Sequence, residues 1–111
     1  MTSYEQEFLS TGQEPRRLSI ALRQFILTED PQWKERYERY LSSRFRPAMS
    51  ELIHQGDFLR IKKLCQFAPL TETSLNTFIN DASAKHHDEI LIFLLELKKT
   101  RFGFHDRTFT L

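Results

Sequence analysis

Met49–Cys65, MSELIHQGDFLRIKKLC, aligns with Ile79–Leu95, INDASAKHHDEILIFLL, at an offset of thirty residues. Met49 then faces Ile79, Leu52 faces Ala82, Asp57 faces His87, Ile61 faces Leu91, and Leu64 and Cys65 face Leu94 and Leu95. Apolar residues within each stretch recur three and four apart, which is the period of a helix with one buried stripe. Each stretch is also broken near its middle, at Gly56-Asp57 and at His86-His87-Asp88. A glycine just past an apolar stripe is a helix stop, and an Asp beside it is a helix start. Both stretches therefore read as two helices joined by a tight turn. Recurrence at roughly 20–50 residues is the mark of stacked helical units.

Toward the N-terminus, two helices are expected beyond the one that ends at Gly56. Ala48, Met49, Leu52 and Ile53 give the helix before Gly56, and Pro47 places a bend or restart at Arg46. Asp30-Pro31 is a cap followed by a first-turn proline, and Trp33, Tyr37, Tyr40, Leu41 and Phe45 follow as one stripe. Glu35 and Arg39 on that helix form an i,i+4 pair in the favourable order. Pro15 opens another helix, with Leu18, Ala21, Leu22, Phe25 and Ile26 on its apolar side. Residues 1–14 read as a polar arm whose apolar cluster, Tyr4, Phe8 and Leu9, is suited to a short helix docking on the core.

Toward the C-terminus, Ala68-Pro69 ends one helix and Thr71 or Thr73 caps the next, which carries Leu75, Phe78, Ile79 and Ala82. The last helix begins near His87-Asp88-Glu89. Its apolar residues, Ile90, Leu91, Phe93, Leu94, Leu95 and Leu97, cover most of its circumference, so it is expected to be central or covered. Residues 104–111 supply Phe104, Phe109 and Leu111 as a cap for that end. The expected fold is all-α, with about six helices in three antiparallel hairpins over residues 15–103.

The stretch Ile79–Glu96, INDASAKHHDEILIFLLE, resembles the two-helix portion of an ankyrin repeat. Ala82-Ser83 stand for the small pair ending the first helix, His86-His87 for the turn, and Ile90, Leu91, Leu94 and Leu95 for the aliphatic run. The earlier copy keeps the turn glycine as Gly56, with Ile61 and Leu64 in the run. The Gly-Ala-Asp and Thr-Pro-Leu-His signatures are missing, and a period of thirty is shorter than the usual ankyrin value of roughly 33. The resemblance covers about residues 49–99 and implies a short ankyrin-like α-solenoid without β-hairpin fingers. It further implies a non-catalytic protein–protein interaction module, whose partner-facing surface comes from the first helix of each hairpin. On this chain those positions are Ser50, Glu51 and His54, then Asn76, Asn80, Asp81 and Lys85.

Charge supports a second reading. The net charge is +1, but residues 15–46 hold eight Lys or Arg against four acids, whereas residues 1–14 carry only Glu5, Glu7 and Glu14. Arg16, Arg17, Arg36, Arg39, Arg44 and Arg46, with Trp33, Tyr37 and Tyr40 among them, form a set able to contact phosphates and stack on bases. The alternatives are therefore a nucleic-acid-binding helical domain, or a self-associating structural module of a larger assembly.

Enzymatic chemistry is not expected. The one cysteine, Cys65, falls on an apolar stripe, and Gly12, Gly56 and Gly103 are isolated, so no phosphate-cradling loop is formed. His86-His87-Asp88-Glu89 has metal-ligand residue types, but adjacent side chains on a helix diverge, and His54 and His105 lie elsewhere in sequence. No metal and no cofactor are expected. A lone cysteine fits a reducing compartment, and no basic-then-apolar leader opens the chain, so the expected location is cytoplasmic.

Overall fold

A computed structural model of the chain describes residues 1–103. Among these residues there are seven α-helices and no strand: α1 (Ser3–Ser10), α2 (Glu14–Leu27), α3 (Pro31–Ser43), α4 (Phe45–Gln55), α5 (Phe58–Leu64), α6 (Glu72–Ala84) and α7 (Asp88–Phe102). None of them is long and apolar enough to cross a membrane. The chain divides into two compact units, Met1–Pro69 and a second one beginning at Leu70. The division falls on the Ala68-Pro69 break.

In the first unit the polar arm carries a helix of its own. Thr2 and Glu5 cap α1 reciprocally: the Thr2 hydroxyl accepts from the Glu5 N–H at 3.2 Å, and the Glu5 carboxylate accepts from the Thr2 N–H at 2.9 Å. Two of the four orphan donors of the first turn are thereby satisfied. α1 packs on α2, burying Phe8 and the stem of Glu5. Pro15 lies in the first turn of α2, whose buried residues are Ile20, Ala21, Leu22 and Phe25. Leu18 and Ile26 are only half-buried, so the buried stripe is rotated toward Ile20.

Asp30 caps α3 through its carboxylate, which accepts from the Gln32 N–H at 2.9 Å, and Pro31 is the first helical residue. α3 packs on α2 and buries Tyr37 and Leu41. The break after α3 falls at Arg44 (φ −124°, ψ 30°), not at Arg46. Pro47 sits in the first turn of α4, where no intrahelical donor is required, so Arg46 stays helical. Ala48, Met49, Leu52 and Ile53 of α4 are all fully buried. α4 packs on α5, and Arg60 of α5 reaches α2, donating to the Leu22 carbonyl at 2.7 Å and the Arg23 carbonyl at 3.3 Å.

In the second unit Thr71 caps α6. Its hydroxyl accepts from the Ser74 N–H at 3.1 Å, and the Thr71 N–H donates to the Ser74 hydroxyl at 3.0 Å. α6 packs on α7 and contributes buried Leu75, Phe78 and Ala82. Of the apolar residues of α7, two are buried. Ile90 and Leu94 are buried, whereas Leu91, Phe93 and Leu97 are half-buried, Leu95 is 46% exposed and Ile92 is 61% exposed. One neighbouring helix covers one stripe, and consecutive helical residues point about 100° apart, so apolar composition alone does not bury a helix. The cap expected from Phe104, Phe109 and Leu111 lies outside the described residues.

The two turns found by the thirty-residue alignment share their backbone hydrogen bonds. Gly56 N–H donates to Ile53 O and Asp57 N–H to Leu52 O, at 3.1 and 3.0 Å. His86 N–H donates to Ser83 O and His87 N–H to Ala82 O, also at 3.1 and 3.0 Å. Gly56 (φ 71°) and His86 (φ 59°) both adopt the left-handed conformation that such a helix stop needs.

Candidate functional site

Arg17 of α2 fixes the corner where α1, α2 and α3 meet. Its Nε donates to the Phe8 carbonyl at 3.0 Å, its Nη2 to the Thr11 carbonyl, and its Nη1 to Glu14 at 3.1 Å. The two carbonyls lie at the C-terminal end of α1, where a helix has acceptors without partners. Arg16 adds a two-pronged contact to Glu7 of α1, at 2.6 and 2.8 Å. This contact holds the Glu7 carboxyl below the ordinary carboxylate range.

Phe8 hangs from the same helix into a ring of aromatic side chains on α3. It meets Trp33, Tyr37 and Tyr40 edge-on, at centroid distances of 6.1, 5.1 and 5.2 Å. Edge-to-face pairs of this kind contribute about 0.5–1.5 kcal/mol each beyond area burial. Tyr40 donates its hydroxyl to Glu14 at 2.8 Å. This bond lowers the Glu14 carboxyl, while burial and the neighbouring carboxylate push the Tyr40 hydroxyl up to about 12. The Tyr37 hydroxyl is buried and, among the described residues, has no hydrogen-bond partner. Burial raises its pKa, and the nearby Glu5 charge adds to the rise.

Beside this cluster lies an open cleft of about 570 Å³, lined by Phe8, Leu9, Arg17, Arg36, Arg39, Tyr40 and Ser43. The volume is within the range of small-ligand and peptide side-chain pockets, roughly 300–1,000 Å³. Its floor is apolar and aromatic, and three arginines stand around it. Arg36 holds its guanidinium 4.8 Å from the Trp33 ring centroid. Arg39 pairs with Glu35 at 2.6 Å, with both side chains more than two-thirds exposed. Leu9 at the edge is 49% exposed.

The basic set expected from the sequence is thus split. Arg17, Arg36 and Arg39 line one cleft. Arg16 is committed to Glu7, and Arg44 contacts Glu14 at 3.3 Å while lying over the Tyr40 ring. Arg46 stacks on Phe45 at 5.7 Å. Of the expected aromatics, Tyr37 is buried, and Trp33 and Tyr40 are half-buried with their edges or faces already occupied. The sequence reading missed Phe8, Leu9 and Ser43 as cleft residues. Thr2-x-x-Glu5, the spacing of a capping box, is a further signal for the short helix expected at Tyr4, Phe8 and Leu9.

The positions implied by the ankyrin resemblance fall on both units. Ser50 and His54 of α4 are exposed and Glu51 is half-buried, with its carboxylate accepting from the Gln55 amide at 3.3 Å. Asn76 and Asn80 of α6 are exposed, Asp81 is half-buried, and Lys85 is the exposed cap residue after α6. His87 caps α7 through its backbone and makes no side-chain cap bond. Among the described residues no three His, Cys, Asp or Glu side chains cluster. Cys65 is buried. No protein-family model matches this chain, and neither a curated protein nor a solved structure matches it.

Proposed function

We propose that this chain is a non-catalytic protein–protein interaction module, an ankyrin-like stack of helical hairpins working in the cytoplasm. The observation that carries the reading is the cleft of α1, α2 and α3, whose apolar floor is open and whose edge is arginine-rich. An apolar centre with a charged, solvated rim is the anatomy of a protein interface, and arginine and tyrosine are enriched there. The equal turns at Gly56 and His86 support the hairpin scaffold, since a repeated unit repeats its turn. The resemblance adds partner-facing positions within each unit separately: Ser50, Glu51 and His54 in the first, and Asn76, Asn80, Asp81 and Lys85 in the second.

A nucleic-acid-binding role is the alternative, favoured by Arg36 and Arg46, which lie over rings. It is the weaker reading because Arg16, Arg17, Arg39 and Arg44 each already meet a carboxylate. Pulldown from native lysate, with and without nuclease, separates the two. A discrete protein recovered after nuclease treatment and at moderate salt supports the module. Recovery that requires nucleic acid and collapses between about 50 and 200 mM salt overturns it.

A further inference from the structure

The chemistry of the cleft specifies more than that something binds. Arg36 has its guanidinium over Trp33 and no carboxylate partner among the described residues. Its N–H donors are therefore not committed to an acid, and a guanidinium in that condition takes a carboxylate with two parallel bonds. Arg39, on the next turn of α3 and lining the same cleft, is held only by an exposed pair with Glu35. Such pairs contribute little and exchange readily. Arg17, by contrast, spends its donors on two carbonyls and Glu14, so it shapes the cleft and does not recognise the occupant.

The apolar half of the site is equally specific. Leu9 stands half-exposed at the edge, and Phe8 and Tyr40 form the floor. The rings offer no free stacking platform: Phe8 meets Trp33, Tyr37 and Tyr40 edge-on, Arg36 covers Trp33, and Arg44 lies over Tyr40. A nucleic-acid strand needs open ring faces and a track of unpaired cations. A side chain that inserts an aliphatic or aromatic group needs neither.

We propose that the cleft binds a peptide segment of a partner protein in which an Asp or Glu lies next to a large apolar side chain. The carboxylate engages Arg36, with Arg39 released from Glu35 to assist, and the apolar group packs on Leu9, Phe8 and Tyr40. This proposal rests on the interaction-module reading and adds the chemistry of the partner.

The test is selection of a displayed random dodecapeptide library on the full chain, followed by affinity measurement of the selected peptides by fluorescence anisotropy. Leu9→Asp and Arg36→Glu are the diagnostic variants, since both positions are at the surface and circular dichroism verifies that their helices are kept. The expected result is enrichment of acidic–apolar peptides whose affinity falls at least tenfold in each variant. Lys62→Glu, exposed on α5 and outside the cleft, leaves affinity within twofold, and selection on Arg36→Glu loses the acidic preference. Enriched peptides with no acidic preference, or insensitive to Leu9→Asp and Arg36→Glu, overturn the proposal while leaving the module reading standing. Failure to enrich any peptide overturns both. Tighter binding of a labelled (dT)12 oligonucleotide than of any selected peptide overturns both in favour of the nucleic-acid reading.

Discussion

Gly56 and His86 occupy the same place in two turns thirty residues apart, with φ of 71° and 59° and the same pair of hydrogen bonds around them. One is the residue that takes this conformation at no steric cost, and the other is a β-carbon-bearing residue that does not. His is among the side chains more often found there, but the turn at His86 is still made against a local preference. The helices that follow differ more. α5 has seven residues and buries Ile61 and Leu64, with Cys65 after it also buried. α7 has fifteen residues, and Leu91 and Leu95, the counterparts of Ile61 and Cys65, are half-buried and exposed. Backbone geometry is therefore the part that recurs, and burial is set separately in each unit.

The strongest way to break this comparison is at the one pair that matches in full. Leu64 and Leu94 are both completely buried. Each Leu→Ala substitution is expected to cost about 2–5 kcal/mol in denaturant unfolding, because transfer and cavity costs add. A value under ~1 kcal/mol at one site alone would show that the two positions are not equivalent. Cys65 and Leu95 should then diverge. Cys65→Ser puts a more polar side chain at a buried position and is expected to cost about 1–3 kcal/mol. Leu95→Ser, at an exposed position, should stay within about 0.5 kcal/mol of the parent.

The turns themselves can be sharpened next. Gly56→Ala is expected to destabilise by about 1–2 kcal/mol, the cost of a β-carbon in the left-handed region. His86→Gly relieves that cost and is expected to stabilise by about 0.5–1 kcal/mol, the gain being reduced by the freer unfolded chain. Responses of opposite sign in thermal unfolding, with the loss larger than the gain, would confirm one geometry under two residues. Tyr37→Phe in the first unit is expected to be neutral or stabilising by up to about 1 kcal/mol, since it removes a buried hydroxyl without a partner among the described residues.

Acid should distinguish the α1 corner from the turns. Glu7 and Glu14 have lowered pKa values in the folded chain. Their stabilising contribution is present above the ordinary carboxylate pKa and is lost as pH falls through the lowered values. The single Trp33 lies beside Phe8 and Tyr37 and reports the event. Its emission is expected to shift on acidification, and Glu7→Gln should move part of that shift to neutral pH. At the alkaline end the Tyr40 contribution is present below about pH 10 and lost as pH rises toward about 12.

Much of the helical layout was legible from local chemistry. Asp30-Pro31 and Gly56-Asp57 mark helix ends because their caps are made by neighbours in sequence, and the structure places both where the pattern did; of Thr71 and Thr73 it selects Thr71. The buried residues of α4 were likewise legible, as four apolar residues on one face have one way to be satisfied. Pro47 misled, since a proline is equally at home in a first turn and after a last one. The cleft was legible only in fragments. Its arginines were visible as a charge excess, but the carboxylates that engage Arg16 and Arg44, those of Glu7 and Glu14, come from other helices, and none among the described residues pairs with Arg36.

The sequence by itself determined the all-α class, the helix ends set by caps, the stripe of α4 and the recurrence of a turn at thirty residues. Each of these is fixed by residues within a few positions of one another, where the chain has little freedom. Tertiary structure alone decided that Phe8 of α1 meets three rings of α3, that Ile90 and Leu94 are the buried residues of α7, and that three arginines share one cleft. Those outcomes depend on which faces meet across distant segments, and no local preference encodes that choice.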